Sequence, residues 1–258
     1  ASDSVAWIDL FQGLFLLSML ILVPVVGFFK IGGLALIAKA AQLKGISLSL
    51  IDDLSIRGIL SIILNPFAWC LGYFGMPHVL TKFMGIDDPE QLHKAKYVGI
   101  TWQLLATTSA VFVGLVGIAF FMNGVPGKPE FIFIEMTKSL FDPWFAGIVL
   151  CAILAATIST VDSQLLVLAS IIAQDFYKNM FYKKATSQQM LFVYRCALVG
   201  AAFTGYAIAW NEESTIMSLV KYAWSGLGAS FGPLMILSLY STTVNRWGAI
   251  AGILAGAF

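Results

Sequence analysis

The stretch Pro66-Phe67-Ala68-Trp69-Cys70-Leu71-Gly72-Tyr73-Phe74-Gly75-Met76-Pro77-His78 sets two glycines and a proline inside a membrane-length apolar run. Proline removes an intrahelical hydrogen bond, and glycine lowers the cost of leaving helical geometry. The run is therefore expected to unwind over 71–77 and expose backbone N–H and C=O groups. Lipid cannot satisfy such groups, so non-helical backbone at membrane depth is tolerated only where protein buries it or a polar cavity receives it. An interrupted span is the usual pointer to a transporter's binding site.

The rest of the chain fits that setting. It is 59% hydrophobic and 11% charged with a mean hydropathy of +0.86, well outside the roughly 45–50% apolar, about 25% charged profile of soluble domains. Composition makes it an integral membrane protein in contact with lipid, and its span-length apolar runs make the expected fold all-α. A formal charge of +1 gives no basic surface for nucleic acid. Cys70, Cys151 and Cys196 lie in apolar segments without motif spacing and read as core thiols rather than as a disulfide or metal set. No cleavable signal peptide is visible, because the first apolar run is longer than an h-region. Both ends read as cut: the chain opens at Ala1 without a methionine and stops inside an apolar run at Phe258. The expected unit is one transmembrane transporter domain over 1–258, truncated at both ends.

Six full spans and part of a seventh are predicted, A to G, at about 5–29, 56–84, 97–122, 144–177, 190–210, 216–240 and from 247. Two connections, 33–43 and 130–140, read as short amphipathic helices that either cap a vestibule or lie on lipid. Asp87-Asp88-Pro89-Glu90 is a helix-start signal before span C. The basic D–E loop, set against Asn211-Glu212-Glu213 between E and F, places the B–C, D–E and F–G loops in the cytoplasm.

Three groups of residues could carry chemistry. In span B, Trp69, Tyr73 and Pro77 recur at a spacing of four and share one helix face, which suits either a small amphipathic solute or an aromatic packing stripe with a kink. His78 follows as a proton or solute partner, or as an ordinary helix-end histidine. In span D, hydroxyls concentrate in Ala156-Thr157-Ile158-Ser159-Thr160-Val161-Asp162-Ser163. Sodium is a hard cation and takes oxygen ligands, so Ser159 and Thr160 with nearby carbonyls could form a monovalent site, although small hydroxyl residues at this spacing are more commonly helix contacts in membranes. Asp162 is costly at this depth and reads as an ion ligand, a gating residue or a structural acceptor. Span F carries Tyr222, Trp224 and Ser225 ahead of Gly226, Gly228, Gly232 and Pro233; it is mostly a packing surface, and those first three residues are candidates to reach a central site. No nucleophile–base pair or metal-ligand spacing supports an enzyme.

At these residues the chain resembles the sodium:solute symporter family, in its proline-carrying branch. Trp69 to His78 match Trp-x-Leu-Gly-Tyr-Phe-Gly-x-Pro-His, Ser159 to Leu166 match Ser-Thr-x-x-Ser/Cys-Gln-Leu-Leu, and Tyr222-Ala223-Trp224 to Phe231-Gly232-Pro233 match the span-F pattern. The resemblance implies a LeuT-type inverted repeat of five plus five helices, with spans A to F as core helices five to ten and the first helices of the same protein missing. It implies sodium-coupled symport of L-proline in the plasma (inner) membrane, with Trp69, Tyr73 and Pro77 at the solute and Ala156, Ser159 and Thr160 at Na+. Two departures stand out: Met76 in place of glutamine, and Asp162-Ser163 in place of serine-cysteine. Rival readings are a same-fold carrier of pantothenate or a sugar, a proton-driven carrier using Asp162 or His78, and a transporter-like sensor module.

Overall fold

In the computed structural model, which describes residues 2–49, 51, 53–86, 88–210 and 215–257, span B forms two helices, α3 (Ile56–Phe74) and α4 (Pro77–Met84). The other helices are α1 (Ser2–Ile31), α2 (Leu34–Leu43), α5 (Gln91–Phe120), α6 (Ile132–Leu140), α7 (Pro143–Ser170), α8 (Ser187–Ala209), α9 (Ile216–Tyr240) and α10 (Arg246–Ala257). Both predicted short helices are present, the second entered through a 3₁₀ turn at Pro129–Phe131. The described residues contain no strand.

Helix ends follow local chemistry. Ser55 caps α3 by accepting from the Gly58 N–H, and the Asp53 carboxylate accepts from the Ser55 hydroxyl and N–H, which holds it below its ordinary range. Thr186 and Gln189 form a capping box on α8, and Thr215 caps α9. Asp88 accepts from the Glu90 N–H ahead of α5, as the start signal predicts; Asp87 and the loop residues Asn211, Glu212 and Glu213 lie outside the described residues. Gly32 and Gly33 carry the α1–α2 turn at φ +88° and +99°, a region that side chains with a Cβ disfavour.

Three expectations are corrected. Among the described residues, five helices are long and apolar enough to cross a membrane: Ala6–Ile31, Ile56–Phe74, Gln91–Phe120, Pro143–Phe181 and Ser187–Ala209. Helix α9 has the length of a sixth span, but its glycines, serines and polar aromatics dilute its apolarity, because one face is given to close packing. Span D does not remain α-helical to 177: α7 ends at Ser170 and a π-helical segment continues through Ile171–Phe181. All three cysteines are exposed and none is a core thiol. Outward faces of membrane helices are as apolar as inward ones, so hydrophobic surroundings in sequence do not imply burial.

The chain divides into two compact units, Ala1–Asp52 with Asp88–Val161, and Asp53–Asp87 with Asp162–Phe258. The first is built on α1, α2, α5 and α6 around Val23, Ile37, Val113, Val116, Met136 and Val149. Gly27 admits Val116 and Met136, whose side chains stand 3.0 and 3.2 Å from where a Cβ would be. Two lysines close helix C-termini there: Lys44 donates to the carbonyls of Ile118 in α5 and of its C-cap residue Phe121 at 2.9 and 2.6 Å, and Lys30 to Ser139 O of α6 at 3.1 Å. Ammonium groups suit carbonyls that the helix itself leaves unbonded. In the second unit, α9 packs between α3 and α10, and α8 packs on the π-helical segment.

Candidate functional site

The break in span B is narrower than the sequence suggests. Leu71–Phe74 stay helical, and only Gly75 and Met76 leave the helix, with Met76 extended at φ −95°, ψ 106° and Pro77 opening α4. The Gly75 and Met76 N–H groups turn back to Gly72 O and Tyr73 O at 3.0 and 3.3 Å, while Val79 and Leu80 both donate to Met76 O. The regular four-residue ladder is thus interrupted, and the Leu71 and Gly75 carbonyls lose their usual helical donors.

Packing against α9 explains where the interruption falls. A Cβ on Gly72 would overlap the Trp224 indole, and one on Gly75 would overlap the Leu227 carbonyl. From the other side, Cβ atoms on Gly228 and Gly232 would stand 2.9 Å from Gly72 Cα and 3.0 Å from Leu71 O. Glycine on both helices lets the two backbones meet, the small-residue contact that membrane helices favour. The tight seam keeps 71–74 in helical register and leaves Gly75 and Met76, both buried, to absorb the change of direction.

This seam assembles the aromatic residues. Trp224 Nε1 donates to Trp69 O at 2.9 Å, its ring centroid lies 5.4 Å from that of Trp69, and Tyr73 meets it edge-on at 5.0 Å and 90°. Trp69 and Tyr73 remain 36% and 45% exposed, so the seam does not bury them. Tyr222, a second candidate from α9, is 83% exposed and stays out of this trio, although it borders a cavity beside it. Pro77 is also outside the trio; it lines a different cavity of about 640 Å³ with Thr81, Gln174 and Asp175. His78 is half-buried on α4, its carbonyl accepting from Thr81.

Ala156, Ser159 and Thr160 belong to the first unit, and Asp162 and Ser163 to the second. Thr160 Oγ1 donates to Ala156 O at 3.1 Å, which joins two of the candidate oxygens and turns the hydroxyl's lone pairs outward. Ser159 Oγ donates to Asp9 Oδ1 of α1 at 2.8 Å in a partly buried setting. The sequence reading assigns Asp9 no role, although a carboxylate inside an apolar span is the signal that would find it. Asp162, which drew that attention instead, is exposed on α7 and makes no hydrogen bond or ion pair among the described residues; Ser163 next to it is half-buried. Asp9, Ser159, Thr160 and the Ala156 carbonyl are hard oxygen donors, a chemistry that fits a small monovalent cation.

The sodium:solute symporter family profile matches residues 3–256. The chain is 40% identical over 257 residues to the high-affinity proline transporter PutP of Bacillus subtilis (strain 168), covering 98% of this chain and 54% of that protein. It is 38% identical to the osmoregulated proline transporter OpuE of the same organism, covering 98% and 51%, and 42% identical to a sodium/proline symporter of Staphylococcus aureus, covering 96% and 49%. The chain therefore spans about half the length of these relatives. No solved structure matches it. With the family profile spanning nearly every residue and the span-B, span-D and span-F motifs all present, the chain belongs to the sodium:solute symporter family.

Proposed function

We propose that the protein containing this chain is a multi-pass plasma-membrane symporter that couples inward Na+ flow to uptake of L-proline. The observation that carries this reading is the aromatic trio beside the break: the Trp224 indole fixed on the Trp69 carbonyl, with Tyr73 edge-on, two residues before Gly75. Rigid aromatic faces next to main-chain carbonyls suit a small, partly apolar zwitterion. In this reading the ring of proline lies on Trp69 and Tyr73, and Pro77 ends the pocket by preventing α3 from continuing.

Na+ is held by Ala156 O, Ser159 Oγ and Thr160 Oγ1, with Asp9 supplying negative charge at Ser159. The architecture is a LeuT-type inverted repeat in one transporter domain, with α1 as core helix five, the spans from α3 to α9 as core helices six to ten, and preceding helices of the same protein completing the ion site. The basic loops lie in the cytoplasm. Na+ binding favours an outward-open arrangement, the solute then docks, and rocking of the bundle releases both inward. Coupling requires each ligand to bind better when the other is present, by about 1–3 kcal/mol in typical systems.

Uptake of labelled proline by the full-length protein in liposomes tests the proposal. An inward sodium gradient should drive accumulation, and a proton gradient of equal size should not. Accumulation driven equally by protons without sodium would overturn the coupling ion, and absence of proline uptake would overturn the solute.

A further inference from the structure

A cavity of about 410 Å³ opens beside the aromatic trio, on the Asn65 side of the break. Trp69 and Trp224 line it together with Asn65 of α3 and Lys221 and Ser225 of α9. Asn65 and Trp69 are four residues apart, as are Lys221 and Ser225, so each pair projects from one helix face. Among the described residues the lining carries one formal positive charge and no carboxylate. Among the described residues Lys221 and Asn65 make no hydrogen bond or ion pair, whereas Ser225 donates its hydroxyl proton to Tyr222 O at 3.1 Å.

That distribution is complementary to an amino-acid zwitterion. An ammonium and an amide N–H₂ are donors for a carboxylate, and a charge-assisted bond of this kind is about twice as strong as a neutral one. The Ser225 oxygen, with its proton already committed, presents lone pairs to the solute's cationic nitrogen. Two indoles offer apolar and π surface to the remainder. A solute stacked on Trp69 without a partner for its carboxylate would lose the hydration of that charge with no replacement.

We propose that Lys221, assisted by Asn65, anchors the solute's carboxylate in this cavity and so sets the preference for amino acids over neutral analogues. The inference rests on the reading of the protein as a proline carrier and adds a specificity-determining residue to its site. It differs from simple snorkelling of a lysine near a helix end, which would affect insertion and abundance but not discrimination between solutes.

The test uses the full-length protein in liposomes at saturating sodium, comparing L-proline with L-prolinamide, in which a neutral amide replaces the carboxylate. Lys221→Gln should raise the KM for proline about tenfold and cut the preference for proline over prolinamide by a similar factor, with the sodium half-saturation unchanged. Lys221→Arg should restore most of both. Unchanged discrimination in Lys221→Gln, or an Arg variant as impaired as Gln, overturns the inference while leaving the carrier reading intact. Failure of the wild type to take up proline overturns the carrier reading and the inference with it. Should Lys221→Gln fail to reach the membrane, Asn65→Ala decides: a severalfold loss of discrimination supports the anchor, and unchanged discrimination overturns it.

Discussion

At the break in span B it is the main chain that departs from regular geometry, whereas in α7 the candidate polar groups are mostly side chains on an unbroken helix. At Gly75–Met76 the ladder is interrupted and the carbonyls of Leu71 and Gly75 lose their usual helical donors, while the Tyr73–Trp224 ring pair lies just before the break. Along α7 the backbone stays helical through 156–163, and Ser159 and Thr160 provide the oxygens. The two halves should therefore fail in opposite ways. The backbone-built half should be sensitive to an added methyl group, and the side-chain-built half to the loss of one oxygen.

Gly75→Ala is expected to have the largest effect. Its φ of −87° is open to alanine, so the cost is steric: the new Cβ meets the Leu227 carbonyl, which is main chain and cannot turn aside. A loss of about 3 kcal/mol is expected, read as a lowered unfolding temperature of the full-length protein in detergent. Gly99→Ala is the matched control. Its Cβ would meet nothing within 4 Å, and helix propensity should make the change neutral or stabilising by up to about 1 kcal/mol. Equal loss in both variants would remove the seam as the cause of the break.

Thr160→Ala should leave the fold intact and raise the sodium concentration for half-maximal uptake about tenfold, or ~1.4 kcal/mol for one lost oxygen. Asp9→Asn should act in the same direction, because it removes the charge beside Ser159. An unchanged sodium dependence in both would dissociate the hydroxyl group from the ion. Trp224→Phe is the gentlest probe. It keeps the ring and removes the N–H that holds Trp69 O, at a cost of about 1 kcal/mol in stability, with proline uptake weakened severalfold.

The elements that were legible in the sequence are those fixed by local chemistry. Gly72, Gly75 and Pro77 announce the interruption, the acidic stretch around Asp88-Pro89-Glu90 marks the start of α5, and amphipathic runs give α2 and α6. Long-range packing is what the sequence does not display. Pro66 and Pro77 look alike in sequence, yet Pro66 is carried inside α3 and Pro77 opens α4. The difference comes from what precedes and faces each residue: Pro77 follows Gly75, where an added Cβ would overlap the Leu227 carbonyl of α9. Likewise the Trp224–Trp69 hydrogen bond joins residues of separate spans, and no spacing rule anticipates it. Asp9 and Asp162 make the same point for charge. Each is a carboxylate within an apolar run, and only the three-dimensional arrangement shows that Asp9 meets a hydroxyl while Asp162 is exposed.

The central claim is that proline binding at the aromatic pocket and sodium binding at the oxygens on α7 are thermodynamically linked. Equilibrium binding of labelled proline to the full-length protein, across a sodium titration and in wild type and Thr160→Ala, measures that coupling directly. Saturating sodium should tighten proline binding in the wild type by about 5- to 150-fold, and Thr160→Ala should shift that enhancement to higher sodium. Proline affinity that stays the same with and without sodium would contradict the claim.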